Sequence, residues 1–130
     1  MIEVEAKIRI SNPKKLIKKI EAISKYQRTE RKIDDYYTLE ELSHYPKKSL
    51  RIRKRSGFYE INFKQRLSYT RGVHVKKETE FRVDNIDGFL NLIKDFGFRK
   101  WLRKEKVTKL YKIRDNFHVE INKIKGLGRF

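Results

Sequence analysis

The sequence predicts an α+β fold, a set of polar-faced antiparallel strands with two helices. Three observations predict it. Several stretches alternate strictly between apolar and polar residues, two others carry apolar residues at helical spacing behind clear caps, and the order is strand, helix, several strands, helix, strands.

The first ten residues, Met1 to Ile10, set the pattern. Ile2, Val4, Ala6, Ile8 and Ile10 share one side, while Glu3, Glu5, Lys7 and Arg9 share the other, which predicts a strand with one buried apolar face. Glu3 and Glu5 lie roughly 7 Å apart at a rise of about 3.4 Å per residue, so a cation is expected between them. Asn12-Pro13 reads as an N-cap and first helical residue. Leu16, Ile17, Ile20 and Ile23 then mark the inner face of a helix to about Ser24, and Lys14, Lys15, Lys18 and Lys19 read as its solvated face.

A second strand is predicted over 26–39, followed by a loop containing His44, to which no motif gives a role. Strands over 49–55 and 58–66 flank a Ser56-Gly57 hairpin turn. A basic connection over 67–72 leads to a strand ending near Val83, in which His74, Lys76, Glu78, Glu80 and Arg82 share a polar face. Asp84-Asn85 caps a second helix through Phe89, Leu92, Ile93 and Phe96, with Gly97 as its C′ residue. Strands over 98–113 and 117–122 close the chain around an Arg114-Asp115-Asn116 turn. Gly126-Leu127-Gly128 lacks the Lys-Ser/Thr and helix of a phosphate loop and reads as a turn.

With 130 residues the chain is expected to form one domain. The absence of cysteine excludes disulfides, thiolate zinc sites and cysteine nucleophiles. No apolar run approaches a membrane span, and the N-terminus carries acids where a signal peptide would be basic, so the expectation is a soluble cytoplasmic protein without a membrane partner. The net charge of +17, from 34 Lys and Arg against 17 Asp and Glu, implies an anionic partner. Composition alone does not choose between nucleic acid, an acidic surface and a bound polyphosphate. The Lys, Arg and Glu content, with Gln27 and Gln65 the only glutamines, also suits a thermophile.

Glu3-x-Glu5-x-Lys7 resembles the signature of the CYTH superfamily, which includes class IV (CyaB-type) adenylate cyclases and thiamine triphosphatases. Later stretches follow that family's order: Asp34-Asp35-Tyr36-Tyr37 resembles its D-x-Y-[YF] strand, Leu50-Arg51-Ile52-Arg53 its L-R-I-R, Phe63-Lys64 its strand-borne Lys, and Lys76-x-Glu78-x-Glu80 its [RK]-x-E-x-E. Ile124 to Phe130 resembles its V-E-G-[LI]-G-x-F run. The resemblance spans 1–130 as a single CYTH-like domain and implies an antiparallel β-barrel, the triphosphate tunnel, with charged faces inward and two flanking helices.

The resemblance also implies the site. Phosphate binding falls to Lys7, Arg51, Arg53, Lys64, Lys76, Lys104 and Lys106, with Glu3, Glu5 and Lys7 as the catalytic set. Mg²⁺ or Mn²⁺ falls to Glu3 and Glu5, with Glu78, Glu80 and Glu120 as further ligands, since hard cations take carboxylate oxygens. For Glu78 and Glu80 a structural ion-pair network is the alternative. Two positions depart from the pattern: Thr108 replaces the Arg of K-x-R-x-x-Y, and Asn122 stands where many members carry Asp. The chain ends at Phe130, where the family continues F-x-E-x-E into a final strand and helix, so an unpaired barrel edge is expected. Either this is a shortened form of a longer protein, or it binds phosphates without efficient turnover.

The leading functional reading is a metal-dependent phosphohydrolase acting on a nucleoside, thiamine or inorganic triphosphate. A CyaB-type adenylate cyclase making cyclic AMP from ATP is the alternative on the same cradle, and a non-catalytic RNA- or polyphosphate-binding module is the alternative from another class. Monomer and homodimer both remain open.

Overall fold

The computed structural model describes every residue from Met1 to Phe130. Its elements are β1 (Ile2–Ala6), α1 (Pro13–Ile23), β2 (Lys25–Thr38), β3 (Lys48–Lys54), β4 (Tyr59–Thr70), β5 (Val73–Val83), α2 (Ile86–Asp95), β6 (Arg99–Arg114), β7 (Phe117–Ile124) and β8 (Gly128–Arg129). The strands form one eight-stranded antiparallel sheet in the order β1-β5-β4-β3-β2-β6-β7-β8. The expected α+β class and element order therefore hold. The chain divides into two compact units, Met1–Ala6 with Ile33–Arg103 and Lys7–Lys32 with Lys104–Phe130, and β2 and β6 contribute to both.

In the first unit, α2 covers the apolar side of β3 and β4. Its Ile93 packs with Leu50, Ile52 and Ile61, and Phe89 and Phe98 border them. Each such side chain stabilises by roughly 1.5–3 kcal/mol when fully buried. The helix begins where the Asn85 side chain accepts a hydrogen bond from Gly88 N at 3.0 Å, and it stops before Gly97, whose φ of +100° suits glycine. β3 is buried on both faces: Leu50 and Ile52 on one, Arg51 and Arg53 on the other.

The second unit has its own core of Ile20 from α1 with Tyr111 and Ile121. Asn12 caps α1 by accepting from Lys15 N at 3.4 Å, and the four lysines of its outer face are exposed as expected. Past β1, Ile10 N donates to Arg129 O at 2.8 Å, and the Arg9 guanidinium donates to Leu127 O at 3.1 Å.

Three local expectations are corrected. β1 stops at Ala6, because its partner β5 begins at Val73, the residue opposite Ala6. The predicted connection over 67–72 is mostly strand: β4 continues to Thr70 across a bulge between Arg66 and Ser68. Arg71 and Gly72, at φ +51° and +78°, form a two-residue turn. Most consequentially, burial on β1 is reversed. Ile2 and Val4 are exposed by 56% and 68%, whereas Glu3 and Glu5 are half-buried, so the charged face is the sheltered one.

Candidate functional site

In the first unit, alternation along five strands gathers charge on the face opposite α2. Cross-strand register builds it in rows. Asp34 stands opposite Arg53 and Arg53 opposite Glu60. Tyr36 pairs with Arg51, Arg51 with Asn62 and Asn62 with Glu80. Lys64 lies opposite Glu78, and Lys76 opposite Glu3. Ionic side chains are seldom buried unless paired, and these are paired.

Each cation has a carboxylate. Arg53 is 5% exposed and donates from Nε and Nη2 to Asp34, which is 0% exposed, at 2.6 and 2.7 Å. Arg51 Nη2 lies 3.1 Å from Glu60 Oε1 and 4.0 Å from Glu80 Oε1, and Arg55 Nε donates to Glu60 Oε2 at 2.9 Å. Lys64 Nζ sits 2.9 Å from Glu78 Oε1 and 3.9 Å from Glu3 Oε1. Lys76 Nζ is 4.0 Å from Glu5 Oε2. The structure thus brings together Glu3, Glu5, Arg51, Arg53, Lys64, Lys76, Glu78 and Glu80 on one face.

Two pairs of carboxyl groups on this face are displaced in opposite directions. Burial pushes the Glu3 carboxyl up against the pull of Lys64, and its hydrogen bond with Glu78 raises it further. Burial also works against Glu78, but Lys64 and Glu3 together hold Glu78 below the usual range. The bond to Glu60 raises Glu80, while Glu60, despite burial, is brought down to about 2 by Glu80, Arg55 and Arg51. In each pair the two carboxyls are displaced in opposite directions because two like charges this close cannot both ionise cheaply.

Some polar atoms on the face remain without aligned partners. Arg51 Nε is a buried donor without an acceptor, and Asn62 Oδ1 and Glu78 Oε1 are buried acceptors without a hydrogen-bond donor. Lys64 Nζ lies 2.9 Å from the latter as its ion-pair partner. Orphaned oxygens beside paired carboxylates fit a hard divalent cation in donor chemistry, although no three His, Asp or Glu side chains gather as one ready-made group.

The other predicted residues belong to the second unit. Lys7 is exposed, one residue beyond β1. Lys104 and Lys106 are half-buried on β6. Glu120 lies 3.7 Å from Lys32, and Lys32, Lys106 and His118 lower its carboxyl against the effect of burial. Lys32, 7% exposed, also pairs with Glu30 at 3.5 Å. The two departures from the family pattern meet each other. Thr108 stands opposite Asn122, and its hydroxyl donates to Asn122 Oδ1 at 2.6 Å.

Sequence reasoning assigned no role to Asp34, Glu60, Asn62 or Lys32. Glu60 and Asn62 sit in phase with Lys64 on β4 at a period of two, so the alternation that marked Lys64 already marked them; Lys32 and Asp34 lie on β2, where no assigned residue set the phase.

Asp35, on the opposite face of β2, supports a pH prediction. Arg103 donates to both its oxygens at 2.7 and 2.9 Å. Those bonds, with Lys100 and against burial, lower its carboxyl from 3.8. A lowered folded pKa contributes stability above the unfolded value and loses it as pH falls through the folded one. Asp35→Asn should therefore cost about 1 kcal/mol or less at pH 7, since Arg103 is half-exposed. In urea denaturation that gap should close as the pH is lowered below 3.8.

A CYTH domain family model matches residues 1–130. The chain belongs to the CYTH domain family. This CYTH domain is 24% identical over 136 residues to the Methanocaldococcus jannaschii protein named "Putative adenylate cyclase MJ0240", covering 100% of this chain and 74% of that one. Among solved structures, the PH1012 protein from Pyrococcus horikoshii OT3 matches with a TM-score of 0.79 and 29% identity, over 99% of this chain and 74% of its own. Conserved hypothetical protein Pfu-838710-001 from Pyrococcus furiosus shares the fold at a TM-score of 0.71 and 23% identity, over 98% of this chain and 74% of its own.

Proposed function

We propose that this CYTH domain binds the triphosphate of a small molecule on the charged face of its first unit and hydrolyses the terminal phosphoanhydride with Mg²⁺ or Mn²⁺. The observation that carries the reading is the buried Arg51 Nε–H without an acceptor, on the same face as Lys64 and Lys76. A guanidinium presents bidentate donors to phosphoryl oxygens and an ammonium acts as a compact charge. Arg53 already spends two donors on Asp34, so its main work is to hold β2 and β3 in register.

Glu3 and Glu78 would hold the divalent cation, with Glu5 and Glu80 as the remaining candidates on the same face. When bound, the cation supplies charge neutralisation on the phosphoryl oxygens. Arg51, Lys64 and Lys76 then orient the substrate and stabilise the charge that spreads over the transferring group, which is most of what phosphoryl transfer asks of a protein. Water attacks the terminal phosphorus, its bond to the bridging oxygen breaks, and that oxygen leaves on the diphosphate.

The test is a panel of ATP, thiamine triphosphate and inorganic tripolyphosphate, assayed with and without each metal. Metal-dependent release of orthophosphate and the matching diphosphate is the expected result. Cyclic AMP with pyrophosphate would instead favour the cyclase chemistry in the name of the M. jannaschii relative, and neither product set would overturn the enzymatic reading.

One observation favours a second reading, nucleic-acid binding. Most of the +17 surplus lies in the second unit, whose only acids are Glu21, Glu30, Glu105, Asp115 and Glu120. Binding of single-stranded RNA that falls steeply with salt and survives Glu3→Ala and Lys64→Met would support it.

A further inference from the structure

We infer that the substrate carries a planar heterocycle, as a nucleoside triphosphate does, and that this ring stacks on Tyr45 beside the phosphate-binding face. The inference rests on the triphosphate reading above and adds what lies at the other end of the substrate.

Three aromatic rings connect the buried cations to the surface of the first unit. Tyr36 is buried, with Asp34, Arg51 and Arg53 around its phenol. Trp101 packs edge-on against it at 6.0 Å and 63°, and its indole N–H donates to Ser49 Oγ at 3.1 Å. Tyr45 in turn meets Trp101 at 5.1 Å and 85°. Its residue is 57% exposed, and Glu5 and Arg66 are the charged groups near its phenol. Glu5 is the partner of Lys76, so the open ring and the phosphate cations share a neighbour.

The loop that presents Tyr45 is tied at both ends. The Glu40 carboxylate accepts from Lys47 N and Lys48 N at 3.1 and 2.6 Å. Thr38 Oγ1 donates to Lys48 O at 2.8 Å and accepts from Glu40 N at 3.2 Å. A half-exposed ring propped on a tryptophan whose N–H is satisfied loses little freedom on meeting a ligand, which is what a stacking platform requires. Stacking is tolerant of base identity because every base presents a π face, so Tyr45 would select for the presence of a ring more than for which ring.

The experiment titrates the whole chain with ATP and with inorganic tripolyphosphate, each with Mg²⁺, and follows heat and the fluorescence of the single tryptophan, Trp101. The wild type should bind ATP more tightly than tripolyphosphate and change its fluorescence with ATP only. Tyr45→Ala should weaken ATP by about 5- to 50-fold and leave tripolyphosphate within about two-fold, while Tyr45→Phe keeps the wild-type preference. Equal losses for both ligands, or none for ATP, would overturn the stacking role and leave the phosphate site standing. Failure of the wild type to bind either ligand would overturn both together.

Discussion

Asp34→Ala should destabilise the fold by about 3–5 kcal/mol, the usual cost of stranding one partner of a buried ion pair. Asp34 is entirely enclosed and takes both bonds from the Arg53 fork at 2.6 and 2.7 Å. Without the carboxylate, a guanidinium that is itself 5% exposed must stay charged beside Tyr36 or drag water inward. Asp34→Asn should cost less, because an amide oxygen still accepts one bond. Pairing Asp34→Ala with Arg53→Met should recover most of the loss, since the penalty belongs to the orphaned charge. Urea denaturation of the three variants checks this. A single-variant cost below about 1 kcal/mol would mean that solvent reaches the pair.

Lys64→Met should have the largest effect on activity, a fall on the order of 100- to 1000-fold in triphosphate turnover, the range seen when one transition-state donor is removed from a sheltered site. Its ammonium lies between Glu78 and Glu3 and is the cation that keeps the Glu78 carboxylate charged. Methionine keeps the stem and removes the charge, so the folded state should survive by circular dichroism while turnover is lost. Turnover within about three-fold of wild type would place the chemistry elsewhere.

Much of this arrangement was legible in the sequence, and the parts that were not fail for a common reason. Period-two alternation located the strands, and Asn12, Asn85 and Gly97 located the helix ends, because caps and pleats are local physics. The same alternation put Arg51, Lys64, Glu78 and Glu80 on one side of their strands. Which side is sheltered is a tertiary matter. The ordinary rule that apolar residues go inside assigned β1 the wrong way round, and Ile2 and Val4 are open while Glu3 and Glu5 are not. Likewise, nothing local says that Asp34 outranks Asp35. The first is enclosed against Arg53 and the second is held at the surface by Arg103.

The contact between Thr108 and Asn122 bears on how such a chain can change over generations. The family pattern that this chain resembles has an arginine and an aspartate at these two positions; here a hydroxyl and an amide stand there and satisfy each other. An arginine alone would set a guanidinium where Thr108 is now 1% exposed, facing an amide; an aspartate alone would set a carboxylate against a hydroxyl. The aspartate could still accept the Thr108 hydroxyl, whereas the arginine would be buried without an anion, so a change at Asn122 is expected to have to precede one at Thr108.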